Sequence, residues 1–222
     1  MIYGIQKLSL VDYPGKPAFV LFLGGCNFRC PFCHNDSIVK KESEHYTLEY
    51  VLTLIKTRVH FLNGIVVTGG EPTIYGDKLI SLLETLRQFP LSIKLDTNGS
   101  NPKLLQKILE KNLVDYVAMD IKNSFEKYEE TAGVSIAKEK ILESIHLLEK
   151  STVAYEFRMT INKTMHTEED IQTVKSYLEY PKKLFLQPYQ YNENQIEKKD
   201  FGAFSKEELK GLEEETDLFV KN

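Results

Sequence analysis

Cys26, Cys30 and Cys33 fall within eight residues of one another and are the only cysteines in the chain. Their odd number and close spacing exclude a disulfide framework. They sit in the run Gly24-Gly25-Cys26-Asn27-Phe28-Arg29-Cys30-Pro31-Phe32-Cys33-His34-Asn35. Three thiolates at x3 and x2 spacing on one loop can wrap a single metal centre, and two metals compete for it. Structural zinc wants four protein ligands, which only His34 or a distant histidine could complete. Because His34 follows Cys33 directly, the two would rarely reach one tetrahedral ion. A [4Fe-4S] cluster takes one thiolate per iron, so three cysteines leave one iron open to a non-protein ligand. An open position is what separates a catalytic metal from a structural one. Iron–sulfur is the favoured reading; zinc and a chance group of reduced thiols are the alternatives.

Further polar positions recur after apolar runs. In Thr68-Gly69-Gly70-Glu71-Pro72, two glycines let backbone approach a ligand and the carboxylate suits a cation. The plain alternative is a tight strand-to-helix turn with a solvated glutamate. Leu95-Asp96-Thr97-Asn98-Gly99 and Met119-Asp120-Ile121-Lys122 close two later runs. Residues two apart on a strand point the same way, so Asp120 and Lys122 offer opposite charges to a zwitterion. Helix caps, surface ion pairs and an Asn-Gly turn are the competing explanations.

The elements that must position these residues are legible as an alternation. Apolar runs at 19–23, 65–67, 93–95, 116–118, 153–157 and 184–186 read as strands, several buried on both faces. Helical stripes follow Thr47 (Leu48, Val51, Leu52, Ile55, Val59, Leu62), Asn101-Pro102 (Leu104, Leu105, Ile108, Leu109) and Thr167 (Ile171, Val174, Leu178). Another stripe is Ile141, Ile145 and Leu148, and Ser205-Lys206-Glu207-Glu208 matches a capping box for a last helix. About six βα units imply an α/β fold with a parallel sheet. A closed eight-unit barrel typically needs about 250 residues, so a partial, open (β/α)6 barrel is expected, with a flat doubly wound sheet as the alternative. In either, the site lies beyond the C-terminal strand ends.

With 222 residues, 42% hydrophobic and 27% charged, the composition is that of a globular protein. No repeat or linker divides it, so one domain over 1–222 is expected, with extensions at 1–16 and 191–222, the latter carrying a helix. The net charge of −4 disfavours nucleic-acid binding. No apolar run approaches the roughly 20 residues that span a bilayer, and a cytoplasmic protein is expected. His45, His60, His146 and His166 read as surface or helix-packing residues, and Glu207 to Glu215 as a solvated helix face.

The cysteine motif, with Phe32 before its last cysteine, resembles that of the radical S-adenosylmethionine (radical SAM) superfamily, and Gly69-Gly70-Glu71-Pro72 resembles its GGEP motif. The segments at Asp96 and Asp120 resemble the glycyl-radical-activating branch. Residues 7–15, 22–35 and 94–100 are similar to activating proteins of anaerobic ribonucleoside-triphosphate reductase. The resemblance implies a [4Fe-4S] cluster on the three cysteines. It further implies SAM contacts from Phe32, Cys33, His34, Gly69, Gly70, Glu71, Pro72, Asp96, Asn98, Asp120 and Lys122. It also implies an oxidoreductase that makes a glycyl radical on a partner, with a flavodoxin or ferredoxin as electron donor, and no side chain acting as acid or base. Pyruvate formate-lyase activases carry Pro-Tyr-His at the last strand end where this chain has Pro188-Tyr189-Gln190. Gln190 can bond a carboxylate but brings no charge; Arg158 is the candidate to supply it. An activase of another glycyl-radical enzyme, and a zinc or electron-transfer module, are the other readings.

Overall fold

The six apolar runs form six parallel strands of one sheet in this computed structural model, which describes residues 1–42 and 44–221. The elements are β1 (Ile2–Ser9), β2 (Ala18–Leu23), α1 (Asp36–Lys40), α2 (Leu48–Arg58), β3 (Gly64–Gly69), α3 (Asp77–Leu86), β4 (Ser92–Thr97) and α4 (Pro102–Glu110). They continue with β5 (Tyr116–Asp120), α5 (Tyr128–Ala132), α6 (Lys138–Lys150), β6 (Ala154–Ile161), α7 (Glu168–Lys175), β7 (Leu184–Pro188), α8 (Lys206–Thr216) and β8 (Phe219–Val220). The sheet order is β1 to β8 without a crossover, β1 antiparallel to β2 and every other pair parallel.

That order decides between the two expected architectures. A doubly wound sheet reverses its strand order so that helices cover both faces. Here successive crossovers run one way, and right-handedness puts their helices on one face. Phe19, Leu21, Ile65, Val67, Ile93, Leu95, Val117 and Phe157 meet the apolar stripes of the helices in the main core. The alternate residues face inward, where Tyr13, Ala18, Val20 and Val66 form a small second core with Phe22 and Tyr116 beside it. The edges β1 and β8 leave the barrel open.

The helices start where the sequence places caps. Thr47 accepts from the Tyr50 amide and Asn101 from the Leu104 amide, while Thr167 and Ser205 form capping boxes. Leu178 lies beyond the end of α7. The sequence reading names no helix for α3, although Leu79, Leu82, Leu83 and Leu86 are buried there. The N-terminal extension becomes strand β1, and the C-terminal one contributes α8 and β8, with residue 222 outside the described residues. No helix among the described residues is long and apolar enough to cross a membrane.

Leu83, on α3, is fully buried in the main core. Leu83→Ala is expected to lower unfolding free energy by about 2–5 kcal/mol in urea titration.

Candidate functional site

At the C-terminal ends of the parallel strands, the three cysteines line one cavity of about 200 Å³. Gly69, Gly70, Glu71, Asp96, Asn98, Asp120, Lys122 and Arg158 line it too. The loop that carries the cysteines is fixed on every side by backbone hydrogen bonds. The Gly24 amide donates to the Met1 carbonyl, Gly25 to Ile38 and Arg29 to Ala132, and Ile196 and Glu197 donate to the carbonyls of Cys33 and Pro31. Arg29 closes the loop internally, its Nη1 donating to the carbonyls of Cys26 (2.6 Å) and Phe28 (2.7 Å).

Two glycines are required by contacts to this loop. A Cβ on Gly70 would stand 2.0 Å from the Gly25 carbonyl oxygen, and one on Gly133, at φ +67°, 2.1 Å from that of Arg29. The close approach expected between Gly70 and a ligand is therefore first an approach to the chain's own backbone. The Gly70 amide donates to the Leu23 carbonyl and the Glu71 amide to that of Gly25.

Glu71 is not the solvated or free carboxylate that sequence suggests. It is fully buried. Its Oε1 accepts from the Thr73 amide (3.0 Å), the Thr73 hydroxyl (2.6 Å) and the Thr97 hydroxyl (2.8 Å), and its Oε2 from the Asn98 amide (2.6 Å). Burial raises its pKa against the pull of these donors. Glu71 thus ties the end of β3 to that of β4. Asn98 is likewise engaged: its Nδ2 donates to Asn27 Oδ1 (2.9 Å), and its Oδ1 accepts from the Ser100 amide (3.0 Å).

The wall across from the cysteines is a row of alternating charge. Lys94 Nζ lies 2.6 Å from Asp96 Oδ1, Asp96 Oδ2 3.2 Å from Arg158 Nη1, Arg158 Nε 2.8 Å from Asp120 Oδ1, and Asp120 Oδ2 3.1 Å from Lys122 Nζ. Burial opposes the charge on Asp120, but Arg158 and Lys122 outweigh it and hold the carboxyl down to about 2. Lys122 is raised in turn: burial opposes its charge, and Asp120, then Cys30, overcome it.

Burial pushes the Cys26 thiol up to about 12 and Cys30 to about 11, and raises Cys33. All three are free thiols, so they give up their protons only to a cation that takes the charge. Three thiols lining one cavity, with the Lys122 charge acting on Cys30, suit a group that takes one thiolate per iron and leaves a fourth iron open.

Four residues implied by the resemblance do not line this cavity. Phe32 packs edge-on against His166, Tyr189 and Phe201 beneath the loop. His34 is exposed beside the Tyr189 ring, and Pro72 is buried as the start of a short turn. Gln190 is exposed and lines a neighbouring cavity of about 620 Å³, which shares Arg158 with the first. Phe28, Asn35 and Thr97 line the cysteine cavity without having been singled out. Lys94 and Glu156, inside the barrel, were also missed; their signal is a charge at every second position of an otherwise apolar strand. His166, read as surface or helix packing, is buried between Phe32 and the backbone. Its Nδ1 accepts from the Asn162 amide (3.2 Å) and its Nε2 donates to the Lys122 carbonyl (2.9 Å), the neutral tautomer.

Residues 20–180 match the Radical SAM superfamily, and the chain belongs to it. Within it, the chain belongs to the glycyl-radical enzyme activating enzymes, which are oxidoreductase-type enzymes. It is 37% identical over 179 residues to a protein of Methanocaldococcus jannaschii named as such an enzyme, covering 78% of this chain and 73% of the relative. The pyruvate formate-lyase-activating enzyme of Streptococcus mutans is 31% identical over 133 residues, covering 55% of this chain and 50% of that one. Streptococcus suis SuiB bound to S-adenosylmethionine shares the fold at a TM-score of 0.66 and 16% identity, over 91% of this chain and 51% of that one. The chain thus spans about half the length of the last two.

Two outcomes test this geometry. Gly70→Ala is expected to displace the cysteine loop and lower iron content after anaerobic reconstitution; full iron loading would show that the Gly25 contact is dispensable. Burial lowers the His166 pKa, so the unfolded imidazole takes up its proton first. Its contribution is complete above about pH 6.5 and lost as pH falls below that, by up to roughly 1.4 kcal/mol per unit. Urea midpoints at pH 7.5 and 5.5 are expected to differ less in His166→Gln than in the parent.

Proposed function

We propose that this chain binds a [4Fe-4S] cluster through Cys26, Cys30 and Cys33, holds S-adenosylmethionine against it, and generates a glycyl radical on a partner enzyme. The observation that carries this is the one cavity lined both by three thiols, Cys30 buried and Cys26 and Cys33 half-buried, and by a row of alternating carboxylates and cations. When bound, the cluster supplies the one electron that splits the S–C5′ bond of S-adenosylmethionine into methionine and a carbon radical able to take a hydrogen atom from a glycine Cα. That electron comes from an external donor of flavodoxin or ferredoxin type.

The protein's own residues bind and orient. The backbone bonds at Gly24, Gly25, Arg29 and Cys33 hold the three sulfurs in place before anything binds. Lys122, beside Cys30, offsets thiolate charge. Asp120 stays ionised and can accept from an ammonium group, while Arg158 offers donors to a carboxylate. Glu71, with one Oε2 lone pair left by its protein donors, can accept from the same ammonium. No group here is placed as a general acid or base; the work of the site is positioning and exclusion of water.

The neighbouring cavity supports a route for the partner's glycine-bearing segment. It meets the first at Arg158 and runs out past Val11, Asp12 and Pro14, where Leu10 is 70% and Val11 86% exposed. For the partner, the similarity of residues 7–15, 22–35 and 94–100 supports anaerobic ribonucleoside-triphosphate reductase. A pyruvate formate-lyase type partner is the second reading, favoured by the relative from Streptococcus mutans. Gln190 argues little against it, since it lies off the cysteine cavity.

The test is to mix reconstituted protein, S-adenosylmethionine and a reductant with each candidate glycyl-radical enzyme and record the glycyl signal by electron paramagnetic resonance. A signal with the reductase and none with the lyase is the expected result; the reverse selects the second reading, and none with any partner contradicts activation. Cys30→Ala should lose reductive formation of 5′-deoxyadenosine altogether. Formation at the parent rate would contradict the assignment of the cluster to these cysteines.

A further inference from the structure

Lys94 has no part in the scheme above, yet it is among the least exposed charged residues of the chain, its side chain 1% exposed. An ammonium group inside a protein costs several kcal/mol unless it is paired. Its one hydrogen bond among the described residues is to Asp96 Oδ1, at 2.6 Å. It lies on the inward face of β4, two residues before Asp96 and level with Tyr116 of β5. The other buried acid inside the barrel, Glu156, is already bonded by the Tyr116 hydroxyl (2.8 Å) and by Lys221 Nζ (2.5 Å).

The consequence appears at Arg158. A carboxylate facing a guanidinium ordinarily takes two parallel N–H bonds. Asp96 takes one: its Oδ2 accepts from Arg158 Nη1 at 3.2 Å, because Oδ1 is held by Lys94. Asp120 Oδ1 accepts from Arg158 Nε at 2.8 Å. Among the described residues nothing accepts from Nη2, and Arg158 lines both cavities. Two carboxylates thus fix the guanidinium, and the third nitrogen is left with its donors.

We propose that Lys94 is a positioning residue: by holding Asp96 end-on it keeps Arg158 Nη2 free to receive the carboxylate of a zwitterionic ligand. Resting on the reading of the site under Proposed function, that group is the α-carboxylate of S-adenosylmethionine. The positive contact that Gln190 does not bring is then made from inside the barrel. Without Lys94, Asp96 turns both oxygens to Arg158 and closes Nη2 as a two-pronged pair.

The test is equilibrium binding of three probes to the anaerobically reconstituted chain. S-adenosylmethionine and S-adenosylhomocysteine carry the carboxylate; 5′-methylthioadenosine lacks the amino-acid end. Lys94→Met is expected to weaken the first two by about 10-fold or more, the worth of one charge-assisted hydrogen bond. Affinity for 5′-methylthioadenosine and iron content should stay as in the parent. Parent affinity for all three in Lys94→Met, or an equal loss for all three, overturns the proposal. A double variant, Lys94→Met with Asp96→Asn, covers the case in which Lys94→Met does not fold. Because Lys94 acts through Asp96, the double variant should bind all three probes as Asp96→Asn alone does. A further loss in the double variant confined to the carboxylate ligands overturns the proposal as well. If the parent protein binds none of the three, the reading of the site itself fails; if the parent binds and Lys94→Met does not discriminate, only the role of Lys94 falls.

Discussion

Three thiols drawn into one cavity at the strand ends resist losing their protons, and the rest of the architecture follows from that resistance. With burial pushing Cys26 and Cys30 to about 12 and 11, the thiolate form needs positive charge close by. Iron would supply most of it on binding, and the Lys122 ammonium, which interacts with Cys30, adds to it. A lysine in that position must itself be paired, which brings in Asp120, then Arg158, Asp96 and finally Lys94. Each buried charge in this row is tolerated because its neighbour has the opposite sign.

Such a row needs a sheet face free of helices. Sequential parallel order provides it, since every crossover helix packs on the other face. The interior of the barrel is therefore divided along its strands. Tyr13, Ala18, Val20 and Val66 fill part of it, and charge begins at Lys94, level with Val66, and runs to the strand ends, beside two cavities that share Arg158. The cysteine loop closes that end, anchored to the chain's beginning at Met1, to the residue before Gly133 and to the extension after β7. Elements distant in sequence thus share the task of holding three sulfurs still.

Much of this was legible in the sequence, for identifiable reasons. Strands buried on both faces stand out as continuous apolar runs, and helix starts as Thr, Asn and Ser caps. The cysteines needed only their spacing. What escaped had weaker local signals. In α3, apolar residues crowd in Leu79-Ile80 and Leu82-Leu83, so the stripe is blurred. Strand β1 carries Gly4 and is buried mainly at its ends, and β8 is two residues held by β7. Glu71 looked free because the Thr97 and Asn98 donors that engage it lie 26 and 27 residues away. Lys94 reads as a surface residue until the inward face of β4 is known to be enclosed. Nothing local reveals that Phe32 and His166 pack on each other, which is why Phe32 reads as a ligand contact and His166 as a surface or helix-packing residue.

The central claim is that the three cysteines hold three corners of an iron cube and leave the fourth iron to a small-molecule ligand. It is tested most directly by Mössbauer spectroscopy of the anaerobically reconstituted, iron-57-labelled chain, with and without S-adenosylmethionine. The expected result is a four-iron cluster in which one iron differs from the other three and changes its spectrum when the ligand is added. Stoichiometric zinc with little iron, or a cluster whose irons are all indifferent to the ligand, would contradict it.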